Sequence, residues 1–247
     1  MKSTTRFWVA GACALSCAVG AALPSSIAAP ARKPTTKKPV AKKTAAKKPN
    51  ANLVALKLDL PRPVFIGTPK NIPAGTTVEK PTGKPRPAFL VPKGTVLLSR
   101  GKPAELSDPA PIVGEASYIT DGNKEAGDGG FVELSFGTQY VQVDLEREAT
   151  ISAIVLWHDH AVSTVYRDVI VQVSNDSSFK SGVKTVFNND QDNSSQQGRG
   201  KDREFFTLAE GKLIPVKGVR GRYVRVYSNG NTGDDQNRFT EVEVWGK

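Results

Sequence analysis

The chain holds two histidines, His158 and His160, with Asp159 between them. In an extended strand residues i and i+2 share a face, so this spacing aims both imidazoles the same way. One chemistry it permits is a transition-metal pair. No third histidine exists to join them, and Thr164 and Val165 stand where a following glutamate would complete such a set. The same imidazoles could instead donate hydrogen bonds to ligand hydroxyls, or simply cap a strand end. Asp121-Gly122-Asn123 has the composition of a tight turn with positive-φ positions. The run from Asn188 to Ser195 is densely polar: a solvated loop, a second calcium loop or the rim of a binding site. It lacks the glycine and closing glutamate of an EF-hand. Arg199, Lys201 and Arg203 follow it, three cations that suit a carboxylated ligand. The chain contains no Gly-x-Ser-x-Gly, no phosphate-binding loop and no His-Glu-x-x-His. It is therefore not expected to be an enzyme.

The elements that must position these residues begin well into the chain. The formal net charge is +10, but it is unevenly spread. Residues 1–52 carry ten Lys or Arg and no acid, 53–103 carry nine basic and two acidic residues, and 104–247 carry fifteen and twenty-two. A basic arm thus precedes a mildly acidic globule, and the net charge is no evidence of a nucleic-acid face. Lys2 and Arg6, the uncharged run from Phe7 to Leu23 and the small residues at Ser26-Ile27-Ala28 predict a signal peptide over 1–28. An uncleaved anchor or a lipoprotein is the alternative, the latter through Ala14-Leu15-Ser16-Cys17. Both cysteines, Cys13 and Cys17, lie in this segment, so the processed chain would have no disulfide and no thiolate metal site. Export to the periplasm, cell envelope or extracellular space is expected of a bacterial protein of this kind.

Residues 29–52 are built of Lys, Pro, Ala and Thr, with lysine pairs at 37, 42 and 47. Their apolar content is too low to offset chain entropy, which predicts a disordered arm. Its lysines suit an anionic envelope polymer. Residues 53–93 stay proline-rich and read as an extended linker, lying against the globule through Phe65, Ile66 and Phe89. From Gly94 the pattern changes. Strands are predicted at 95–99, 140–145, 150–157, 168–174, 222–228 and 239–245. Val141, Val143 and Leu145 share one face of theirs, as do Val224 and Val226. No stretch keeps a helical period, so residues 94–247 are an all-β sandwich or barrel.

The order of the motifs carries a resemblance. Gly101-Lys102-Pro103, Ile119-Thr120-Asp121-Gly122-Asn123, Val141 to Leu145, Ile151 with Ile154, Ser174-Asn175-Asp176, Arg222 to Val226 and the terminal Glu241 to Val244 follow the discoidin pattern. The chain resembles the discoidin-like (coagulation factor V/VIII type C) domains of the galactose-binding-like superfamily. It is also similar to bacterial family 32 carbohydrate-binding modules. A tryptophan usual after the Asp-Gly turn is absent here, Phe131 being nearest, and Glu146 replaces a usual glycine.

The resemblance implies a jelly-roll β-sandwich that binds carbohydrate, without catalysis, through loops at one end. It implies His158, His160, Tyr166, Arg167, Asn189 and Arg199 as ligand-binding residues. It also implies a structural Ca²⁺ on Asp121, Asn123 and Glu241, with Glu125 and Asp128 as spare acids. The alternative is an adhesive envelope protein that binds a protein partner and is tethered by its arm.

Overall fold

Val141, Val143 and Leu145 on one strand and Val224 and Val226 on its neighbour face a common core, all at most 2% exposed. This pairing frames the fold. The computed structural model describes residues 52–127 and 129–247. The expected signal peptide over 1–28, the arm apart from Asn52, and Asp128 lie outside the described residues. The strands in chain order are β1 (Leu53–Ala55), β2 (Leu90–Pro92), β3 (Val96–Leu97), β4 (Ala104–Leu106), β5 (Val132–Leu134), β6 (Gln139–His158), β7 (Ile170–Ser174), β8 (Lys184–Asn188), β9 (Lys212–Ser228) and β10 (Asn237–Gly246). A single 3₁₀ turn spans Ala116–Ile119.

β6 and β9 pair antiparallel along nearly their whole length, with register shifts between Asp144 and Ala149 and between Ile151 and Ala153. At the first shift Glu146 takes φ 62°, and the extra residues bend β6 as a bulge does. Each long strand thereby serves both layers. The first half of β6 pairs with β4 and with the second half of β9, which continues to β7 and β8. The second half of β6 lies between the first half of β9 and β10, and β10 also takes β3 and β5. Ile151, Ile154, Leu156, Val242 and Val244 from this layer meet the valines of the other in one core. The all-β class is therefore as the alternation predicts, and of the sandwich and the barrel it left open the structure is the sandwich that the resemblance implies. Pro215 sits in β9 where that strand pairs only with β6, the edge position that tolerates a residue without an N–H.

The proline-rich stretch is more than a linker. β1 and β2 form a two-stranded sheet. Between them, Val78 is buried against Val165 and Phe206. The Thr77 N–H donates to Glu204 Oε2 at 2.5 Å and the Glu79 N–H to the Glu204 carbonyl at 3.0 Å. Arg86 pairs with Glu210 and Lys212 with Glu79. Contact with the sandwich is thus made, though not through Ile66: that residue is 87% exposed, Phe65 and Phe89 are half-buried, and Val78 and Val91 are buried. The sequence places a boundary at Gly94; the packing carries the folded unit back to residue 52.

Deleting 52–93 uncovers Val165 and Phe206. We expect a loss of at least about 1.5 kcal/mol, the worth of one buried valine, read as a lower urea midpoint than that of the full chain. An equal midpoint would restore the linker reading.

Candidate functional site

The bend of β6 brings its two ends together, and four loops gather there: 135–138, 159–169, 189–211 and 229–236. Asn237 joins two of them. Its Oδ1 accepts from Ser228 Oγ at 2.7 Å and from the Gly230 N–H at 2.8 Å, and its Nδ2 donates to the carbonyls of Ser135 and Gly137 at 2.7 and 3.0 Å. The residue is fully buried, so these four bonds fix both loops at once. Asn231 organises the next turn in the same way, bonding Gly233, Asp234 and Gln236.

The polar run 188–195 is largely self-satisfied. Asp190 is buried and accepts from the N–H groups of Asn193, Ser194 and Ser195 and from Ser195 Oγ. Asn188 holds the far side of the loop through Gly198 and Asp202. Such bonding is why a loop of short polar residues keeps one shape.

Between the loops lies an open cleft of about 670 Å³. Phe136, Gly137, Arg167, Asp168, Asn189, Asn229 and Asp235 line it. Gln191, Asp192, Ser194 and Glu204 line it too, together with residues 74–77 of the proline-rich stretch. Phe136 is 72% exposed, a bare aromatic ring in a Ser-Phe-Gly-Thr turn. Asp168 sits at φ 51°, a left-handed conformation that Asp tolerates better than most residues. Its Oδ2 accepts from Ser194 Oγ at 2.6 Å and Asn229 Nδ2 at 2.8 Å. Asn189 is 4% exposed; its Oδ1 takes the Val169 N–H at 2.6 Å, and its Nδ2 has no partner. The arrangement offers an aromatic face beside a dense set of donors and acceptors.

Of the residues expected to bind ligand, Arg167 and Asn189 line this cleft. Arg199 is exposed but is not in its lining. His158, His160 and Tyr166 are 2%, 1% and 1% exposed and face the interior, which takes them out of any surface site. His158 stacks on Tyr166 with ring centroids 4.0 Å apart and lies against Phe239 at 5.0 Å. Burial lowers its pKa from 6.5 to about 3, so the ring is neutral. His160 Nε2 lies 2.9 Å from the carbonyl of Lys124. The strand continues only to His158, so the shared face that alternation gives the two imidazoles is not a shared ligand site. The sequence reading missed Phe136, Asp168, Asn229 and Asp235. An aromatic residue isolated among turn residues was the one local signal.

The second expected site is brought together in part. Glu241, fully buried on β10, accepts the Gly122 N–H at 2.9 Å through Oε2, while its Oε1 has no partner. Burial raises its pKa to about 8, with the Glu243 and Asp121 charges adding to the shift. Lys124 is committed elsewhere, 2.7 Å from Glu243 in a buried pair. Asp121 Oδ1 accepts from the Asn123 N–H at 2.7 Å, Asn123 Oδ1 from the Glu125 N–H at 3.1 Å, and Arg100 donates to the Asp121 carbonyl. A buried carboxyl with one oxygen unbonded, beside a turn and with the nearby Lys124 already paired to Glu243, offers a hard cation an oxygen ligand.

No protein-family model and no curated protein matches the chain. Solved structures do. The chain is similar to the family 32 carbohydrate-binding module of AlyQ in complex with 4,5-unsaturated mannuronic acid, at 18% identity over 57% of this chain and 92% of that one, with a TM-score of 0.42. It is similar to chitosan-binding module 1 of a chitosanase/glucanase from Paenibacillus sp. IK-5, at 21% identity over 61% and 98%, TM-score 0.42. The family 32 module of Clostridium perfringens NanJ in complex with galactose matches at 11% over 61% and 98%, TM-score 0.44.

The neutral core histidine makes stability acid-sensitive. Below pH 6.5 the unfolded chain takes up a proton that folded His158 refuses until about pH 3, so stability falls as pH drops through that window. His158→Phe should flatten this limb when urea midpoints are compared at pH 7 and pH 4. A limb of unchanged slope would show that other groups set it.

Proposed function

We propose that this chain is a non-catalytic carbohydrate-binding module and that its ligand lies in the cleft between Phe136 and the 189–194 loop. One observation carries the reading: an exposed phenylalanine lines an open cleft together with an unpartnered amide, two further amide side chains, an arginine and carboxylates. Pyranose rings have an apolar face and a rim of hydroxyls, each both donor and acceptor. A ring stacked on Phe136 brings that rim to Asn189 Nδ2, Asn229 and Asp168. The ordered sequence motifs that resemble discoidin-like modules support the same reading. In it the chain is exported, and the lysine-rich arm holds it near anionic envelope polymer.

The test is a glycan array probed with the full chain and with Phe136→Ala. We expect saturable binding to a defined group of glycans, weakened about tenfold or more in the variant, a change of about 1.4 kcal/mol. Phe136 packs against no core, so the variant should fold. No glycan bound by well-folded protein would overturn the reading.

Calcium has a place in the proposal as a structural ion. Glu241 Oε1, the Asp121 carboxylate and the Asn123 side chain would hold it, supplying part of the six to eight oxygens the ion takes. When bound, it would neutralise the buried carboxylate and fix the 121–123 turn. In chelator, stability should fall as pH rises from the usual carboxylate range to about 8, because the unfolded chain releases a proton that folded Glu241 keeps. At pH 8, added calcium should raise the melting temperature of the full chain and leave Glu241→Gln unmoved. Equal responses would remove the ion from this site.

A further inference from the structure

The cleft also has a charge, and the charge names a class of ligand. Its lining holds four carboxylates, Asp168, Asp192, Glu204 and Asp235, against one guanidinium, Arg167. Carboxylate oxygens of Asp168 and Asp192 lie within 4.8 Å of one another and of an Asp190 oxygen. Like charges so close repel, and a cation between them relieves the repulsion. The Ser194 side chain and, at 3.0 Å, the Ser194 N–H favour the ionised form of Asp192 and hold that carboxyl below the usual range. Asp235, also in the lining, makes no hydrogen bond or ion pair among the described residues, so its charge faces the cleft uncompensated.

A second observation ties these charges to a ligand. Asn189 is 96% buried, lines the cleft and has Nδ2 without a partner. A buried amide hydrogen left unbonded costs free energy that a ligand oxygen would recover. The site thus wants a molecule with a hydroxyl oxygen deep in the cleft and positive charge toward Asp168, Asp192 and Asp235. We infer that the cleft selects glycans bearing free primary amines, partly or fully deacetylated hexosamine chains, over their acetylated and uronate counterparts. This rests on the carbohydrate reading above and adds the charge of the ligand to it.

The rest of the chain sharpens the inference. Formal net charge is +10, and residues 1–52 carry ten Lys or Arg with no acid. A polycationic glycan is repelled by that arm, whereas a uronate is drawn to it. Retention of an amine-bearing glycan must therefore come from a local negative site. Electrostatic attraction there should weaken with salt.

The experiment measures binding of the full chain to three probes of equal length by calorimetry: an oligomer of glucosamine, one of N-acetylglucosamine and one of galacturonate. We expect the glucosamine oligomer to bind at least tenfold more tightly than the acetylated one, and the preference to shrink in high salt. Asp235→Asn, an exposed change that breaks no hydrogen bond, should lower glucosamine affinity several-fold and narrow the preference over the acetylated probe. Equal affinity for the two hexosamine probes would overturn the charge selection while leaving carbohydrate binding in place. Tighter uronate binding that is lost in Arg167→Ala would overturn it in favour of an anionic ligand. Failure of all three probes, together with a silent glycan array, would count against the carbohydrate reading itself.

Discussion

The antiparallel pairing of β6 with β9 is the constraint on which the rest of this structure depends. Both strands run through both layers, so one continuous ladder sets the register of each sheet and the angle between them. β7, β4 and β10 attach to that ladder, and β8, β3 and β5 attach to them in turn. Because side chains alternate, a slip of one residue would send Val141, Val143, Val224 and Val226 to the outside together. The bend at Glu146 lets a strand of twenty residues return to its own starting end. That return brings the loops around the cleft to within hydrogen-bonding reach of one another.

With the ladder fixed, buried polar groups decide local shape. Asn237 is the clearest case, since four bonds from one side chain hold the loops before β6 and after β9. Asp190 does the same for the loop after β8. Between them they hold Phe136, Asn189 and Asn229 on firm supports rather than on free loops, and that lowers the entropy lost when a ligand is bound. The outer face of the β10 layer is different. There Lys124 and Glu243 form a buried pair, with Lys124 also 5.3 Å from the Trp157 ring centre and Trp245 Nε1 donating to Glu243 at 3.0 Å. Breaking one partner of such a pair leaves a buried charge. Glu241, two residues away, lacks such a partner.

The proline-rich stretch shows how a composition argument can be right about conformation and wrong about role. Its prolines do keep it from joining the main sheet, and most of it is extended or turn. Yet Val78, Val91 and the Thr77, Arg86 and Lys212 contacts seat it on the sandwich. Residues 74–77 even form part of the cleft wall. Spacing in sequence gave no hint of this, because Glu204, Phe206, Glu210 and Lys212, which receive Thr77, Val78, Arg86 and Glu79, lie more than a hundred positions away.

Alternation of valines was enough to determine, from the sequence alone, that this is an all-β fold, sandwich or barrel, with strands at 140–145, 168–174, 222–228 and 239–245. Period-two patterning is a local property that survives folding. It could not reveal the first half of β9, where Pro215, Gly218 and Gly221 read as punctuation although the strand is an edge that accommodates them. Nor could it say which polar residues meet solvent. His158, His160 and Tyr166 have the chemistry of a binding site and became core, because His158 at the end of β6 packs between Tyr166 and Phe239, and His160 lies against the Lys124 carbonyl. Phe136, whose type suggests core, became surface because Asn237 fixes its turn outward. Burial depends on which strands pack together, and only the tertiary structure decides that.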